Sequence, residues 1–190
     1  NDLQGRVDAD GSSVTLFDAN DLELALINSD TLIANAGGDI TDQGAKIEAR
    51  NSASFTAQGN ITIDTLDTHV FNGTVSLSAD QITRFAAKGP FSFGAITATN
   101  ATDVTNRITA TGGVTLDGAI STAGLSDLTL DTTNANILQN SGTLATDVLT
   151  LNLGTGDGTF TAGTNDVNTL TAPNAGNVAL TDTDGVTIGD

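Results

Sequence analysis

The sequence predicts an all-β fold, a parallel β-helix (β-solenoid) of roughly nine coils of about 20 residues each. Three observations point there. Short triplets of apolar, small polar, apolar residues recur along the whole chain. Turn residues separate them, and large side chains are scarce. The 190 residues contain no Trp, Tyr, Met or Cys, and aromatics make up 4%, all Phe. A conventional globular core draws much of its buried area from large side chains. A core only two or three side chains across instead needs Ile, Val, Leu and Ala.

The triplets begin with Val14–Leu16 and continue at Ile61–Ile63, Val75–Leu77, Phe91–Phe93 and Val114–Leu116. They resume at Leu128–Leu130, Leu149–Leu151, Val178–Leu180 and Val186–Ile188. Alternation with a period of two over three to five residues marks a short strand with one buried face. A central Thr suits such a strand because its β-branch packs on a pleated surface. Between the triplets lie NAGGD, NGT, TGG, LGTGDG and NAGN, whose Gly and Asn accept positive φ. One stretch, Ala19–Gly38, has a helix-like cap and stop, but Leu22, Leu24 and Leu26 alternate as a strand does, and a strand is expected there.

The repeats are degenerate. GAIT at Gly94–Thr97 recurs as GAIS at Gly118–Ser121, 24 residues on. GDITDQGAKI at Gly38–Ile47 echoes ANILQNSGTL at Ala135–Leu144, 97 residues on. A period near 20 predicts stacked coils, with residues 1–190 forming one solenoid segment of a longer chain. The longer echo leaves open a pair of tandem immunoglobulin-like ligand-binding domains, although short triplets without a Trp or Tyr anchor fit that plan poorly.

Charge is lopsided, with 6 Lys+Arg against 23 Asp+Glu for a formal net of −17. All but Glu23 and Glu48 of the acids are Asp, a residue that bonds nearby backbone N–H groups and so favours turns. Such acidity disfavours nucleic acid and anionic membrane surfaces as partners. The lack of Cys excludes disulfides and thiolate metal sites. No secretory signal begins the chain, and no apolar run is long enough for a spanning helix.

The stretches GGDITDQGAKIEARNSASFTAQGNITID, FNGTVSLSAD, GAITATN and GGVTLDGAISTAGLSDLTLDTTNANILQNSG resemble the repeat region of filamentous-haemagglutinin-type exoproteins, the two-partner-secretion adhesins of Gram-negative bacteria. The similarity extends from about Leu22 to Asp190. It implies a right-handed parallel β-helix, export through an outer-membrane secretion partner, and a secreted or cell-surface location. It also implies a stalk or adhesive role toward a host or neighbouring-cell surface. The secretion-domain Asn-Pro-Asn motif of that family is absent here, so the resemblance is to shaft, and it brings no catalytic residues.

Candidate sites are few. Leu153–Asp166 holds Gly154, Gly156, Asp157 and Gly158, in the manner of calcium-binding nonapeptide coils, but no second copy follows in register. Asp182 and Asp184 form an acidic pair able to offer hard oxygen ligands to Ca²⁺. These three Asp are the candidate metal ligands of a calcium-dependent surface-layer-like alternative. Against them stands the plain turn, whose Asp bonds its own backbone. His69, the only histidine, has Asp64 and Asp67 near in sequence. Without a second His, Cys or nucleophile motif it reads as a surface loop or coil-corner residue. The polysaccharide lyases and hydrolases built on β-helices need clustered charges or aromatic platforms. Arg6, Lys46, Arg50, Arg84, Lys88 and Arg107 are instead scattered, with Lys46/Arg50 and Arg84/Lys88 as the nearest pairs. No catalytic residue and no cofactor is expected. The sequons at Asn60, Asn72 and Asn100 are no more than this composition yields by chance. Finally, the open strand edges of the end coils invite end-to-end stacking into filaments.

Overall fold

The computed structural model describes residues 2–42, 44, 46–66 and 68–189. It is all-β, a solenoid of about nine turns of roughly 21 residues. Its strands are β1 (Val7–Asp18), β2 (Leu22–Ala36), β3 (Ile40–Asp42), β4 (Ile47–Ala57), β5 (Asn60–Ile63), β6 (Val70–Phe71), β7 (Thr74–Ala79), β8 (Gln81–Ala87) and β9 (Phe91–Ala98). They continue as β10 (Thr105–Ala110), β11 (Val114–Leu116), β12 (Ile120–Thr122), β13 (Asp127–Thr132), β14 (Ile137–Gln139), β15 (Leu144–Asn152), β16 (Gly158–Asn174), β17 (Val178–Asp182) and β18 (Thr187–Ile188).

Every strand pairing is parallel, each strand bonding to its equivalent one coil away. One column runs unbroken along the molecule. It starts at Leu22–Leu24 of β2, passes through β3, β5, β8, β10 and β13, and ends through the second halves of β15 and β16 at β18. A second column stacks the latter part of β1 on β2, β4, β7, β9, β12 and the start of β15. In the first half β6 pairs with the start of β4. In the second half a third wall of β11, β14 and β17 continues the row of Thr74–Val75 and Phe91–Phe93. An all-parallel sheet excludes the tandem immunoglobulin-like alternative, which requires antiparallel sandwiches. The 97-residue echo does not mark structural equivalence: Ile40 is on the first column and Ile137 on the third wall.

The period-two pattern becomes a ladder of like residues. Ile63, Phe85, Ile108, Leu130 and Leu151 stand in register on the first column, Phe85 over Ile63 and each of the others over its predecessor. Phe55, Leu77, Ile96, Ile120 and Leu144 do the same on the second. All ten are buried. In the core Phe55, Phe71, Phe85, Phe91 and Phe93 meet, with ring centroids 4.9 to 6.5 Å apart, edge-on or tilted. Five of the seven Phe thus form one cluster in the middle coils. Those geometries suit the ring quadrupole.

The GAIT/GAIS repeat is also a stacked pair, because Ile96 pairs with Ile120 and Thr97 with Ser121. Its glycine explains why the residue recurs. A Cβ on Gly118 would overlap the carbonyl oxygen of Gly94, and one on Gly142 would overlap Gly118. At this corner successive coils approach too closely for any side chain. Ala19–Gly38, where a helix was the alternative, belongs to β2 and its flanking turns. Leu22 and Leu24 face inward as alternation predicts, but Leu26 is exposed, because the strand shifts register between Leu24 and Ile27.

Candidate functional site

The Asp and Asn bias resolves into a device of the corners. A parallel coil leaves backbone N–H groups at each corner without a ladder partner, and an unpaired buried amide is costly. A short carboxylate or amide from the adjacent coil accepts them. Asp8 accepts the amide of Leu26 at 2.8 Å, Asp21 that of Asp39 at 2.8 Å, and Asp39 that of Asn60 at 2.7 Å. Asn106 accepts from Ile82 at 2.8 Å, Asn136 from Asp157 at 2.8 Å, and Asn165 from Leu144 at 2.9 Å. These bonds clamp one coil to the next rather than closing a local turn. Composition alone pointed to turns and could not show that the partner lies a full coil away.

Two of the three candidate calcium ligands, Asp157 and Asp182, belong to this device. Asp157 Oδ1 accepts the amide of Asn177 at 2.7 Å. Asp182 accepts the amide of Val167 on Oδ2 at 2.9 Å and those of Gly185 and Asp184 on Oδ1. Burial would raise the pKa of Asp182, but these backbone N–H groups outweigh it and hold its carboxyl below the usual range. Asp184 is an exposed neighbour in the same turn. In register, Asp157 stands beside Asn177, just before β17, whereas Asp182 ends that strand. Five residues of extended chain, about 16 Å, therefore separate the Asp157 corner from the Asp182 corner. The structure does not bring these candidates together, and no group of three or more His, Cys, Asp or Glu suited to a metal ion occurs among the described residues.

His69 is not on the surface. It lies at the corner between β5 and β6 with its side chain fully enclosed, because the chain folds it inward onto Asp42, whose side chain is 1% exposed. The Ile47 amide donates to Nδ1 at 3.1 Å, so the ring proton is on Nε2, 3.0 Å from Asp42 Oδ2. Asp42 also accepts from Thr65 Oγ1 at 2.6 Å and from the amide of Asp64 at 2.9 Å. Burial pushes the Asp42 carboxyl upward, but the bonds from His69, Thr65 and Asp64 together hold it far below the ordinary carboxylate range. The cluster is a buried, satisfied polar plug joining two adjacent coils. It has no nucleophile and no open face. Asp67 lies outside the described residues.

The basic residues are mostly occupied. Lys46 pairs with Glu48, Arg50 with Glu48 and Asp30, each at 3.2 Å, and Arg107 with Asp131 at 2.6 Å. Lys46 and Arg50 therefore share an ion-pair network rather than a basic patch. Arg84 and Lys88 do not share a register position: Val70 lies beside Lys88, whereas Arg84 lies beside Thr62.

One face differs from the rest. Its outward positions in successive coils are Ser13, Thr15 and Phe17, then Thr31, Ile33 and Asn35, then Ser52, Ser54 and Thr56, then Thr74, Ser76 and Ser78. In a chain of net charge −17 these positions contain no charge and are rich in hydroxyls. Phe17 and Ile33, on this face, are 55% and 36% exposed.

Fold and repeat register together define the chain as a parallel β-solenoid repeat protein. Residues 11–78 match a family described as repeats of unknown function (DUF5649). That match runs from within β1 to within β7. No curated protein and no solved structure matches the chain.

Proposed function

We propose that the chain is a non-catalytic shaft segment of a secreted or cell-surface bacterial adhesin of the filamentous-haemagglutinin type. The observation that carries this reading is the unbroken parallel column from Leu22 to Ile188. A column with hydrogen bonds along its axis converts sequence length into reach, at about 4.8 Å per coil, and resists bending because each coil bonds to the next over its whole width. In this reading the segment is exported through an outer-membrane partner and presents its flat faces to a host or neighbouring cell. Its open end coils associate end to end in a non-closing contact.

The test is adhesion of beads coated with this chain, alongside electron microscopy of the chain alone. Bead attachment to cells and rods of uniform width support the reading. Beads that adhere no better than albumin-coated controls would overturn the adhesive part. Compact or two-lobed particles would overturn the shaft.

A further inference from the structure

We propose that a groove along the uncharged face binds a neutral glycan strand, an inference that rests on the adhesive reading above and names its ligand. The groove has a volume of about 570 Å³, within the range of small-molecule sites. It crosses four coils where Thr74, Ser92, Thr115 and Leu138 stand in register as successive outward residues. Three steps between coils make it about 14 Å long, parallel to the solenoid axis. A chain ligand therefore lies along the rod rather than across it.

The lining determines the ligand class. Asn72, Thr74, Ser92, Thr115 and Asn136 supply amides and hydroxyls, and none of the lining residues is charged. Amides and hydroxyls both donate and accept, which matches the mixed donors and acceptors of sugar hydroxyls. Asn136 uses its oxygen to accept the Asp157 amide, which fixes its side chain and turns its NH₂ to the role of donor. Pro90 and the half-exposed Leu138 offer apolar surface for the C–H faces of sugar rings. Uronates and sulfated glycans find no cation in the groove and meet the repulsion of a chain with net charge −17. With no aromatic platform each contact is weak, so strength comes from repetition along the shaft.

The experiment is an NMR titration of the ¹⁵N-labelled chain with neutral β-glucan, mannan and galactan oligosaccharides, and with polygalacturonate and heparin fragments as anionic counterparts. Saturable shifts centred on Asn72, Thr74, Ser92 and Thr115 are expected with at least one neutral fragment. The double variant Thr74→Val, Thr115→Val removes two hydroxyls at outward strand positions while keeping β-branched side chains. It should weaken binding by about tenfold or more. The proposal falls if no neutral fragment gives saturable shifts, if shifts map elsewhere, or if anionic fragments bind equally well. It also falls if the same shifts follow protein concentration without sugar, since the face is then a contact between copies. Beads that adhere equally well with the double variant would overturn the groove and leave the adhesive reading standing. Neutral-fragment binding by a chain whose beads do not adhere would do the reverse.

Discussion

At the scale of single residues, the molecule depends on a few side chains that join coils. Phe85 touches Phe55, Phe71, Phe91 and Phe93, so it is the hub of the aromatic cluster. Phe85→Ala should cost about 3–5 kcal/mol, read as a lowered denaturant midpoint, because a narrow solenoid has little neighbouring mass to collapse into the cavity. Asp42→Asn turns an NH₂ toward the donors that Asp42 accepts and should cost about 1–3 kcal/mol. Acid should act on the same plug. Asp42 has its folded pKa depressed, so its contribution is complete above the ordinary carboxylate value of about 3.9 and is lost as pH falls below that toward the folded value. Urea midpoints measured downward from pH 5 should therefore decline in the wild type and decline less steeply in Asp42→Asn. Asp127 has the opposite sign. Burial, with the charges of Asp103 and Asp147, raises its pKa, so ionised Asp127 opposes folding. Asp127→Asn should raise the melting temperature at low ionic strength, and added salt should shrink the gain.

At the scale of elements, the unit is the coil, and its length is flexible. Residues in register are 17 apart at Val7 and Leu24 but 24 apart at Ile96 and Ile120. Corners absorb the difference, since the inward ladder constrains only the strands. It follows that a deletion should be tolerated when it removes one whole coil. Removing residues 120–143 joins Ala119 to Leu144, the residue already in register with Ile120. Leu144 then takes the place of Ile120 above Ile96, and β15 stacks on β10 where β13 had stood. The shortened chain should melt cooperatively within several degrees of the parent, because each coil contacts only its neighbours. Removing residues 120–131 instead breaks the register of every later strand. That variant should lose cooperative melting in circular dichroism.

At the scale of the whole molecule, shape and charge set the behaviour. About nine coils at about 4.8 Å make a rod near 45 Å long. Small-angle X-ray scattering should give that length with a uniform cross-section. The profile should be the same in EDTA and in millimolar calcium, since Asp157 and Asp182 are engaged by backbone amides at separate corners. Expansion in EDTA would revive the calcium-dependent alternative. Both end regions are acidic, with Asp2, Asp8 and Asp10 at one end and Asp182 and Asp184 at the other. End-to-end stacking should therefore strengthen with salt, and sedimentation across a salt series would show it.

Much of the architecture was legible before any coordinates. The triplets located the strands, as β11 at Val114–Leu116 and β13 around Leu128–Leu130 show. The GAIT/GAIS spacing identified two residues that do stack, Ile96 and Ile120. Local alternation and the scarcity of large side chains determined this, because both are properties of short stretches of chain. Only the tertiary structure decided which coil each corner Asp and Asn clamps, and that the lone histidine turns inward onto a carboxylate 27 residues away. It alone brought Thr74, Ser92, Thr115 and Leu138 into one uncharged row. Those contacts join residues about a coil or more apart, and coils of unequal length conceal their register from any fixed spacing. The hydrophobic pattern determines what faces inward. The corners, by taking up the slack, determine which outward residues become neighbours.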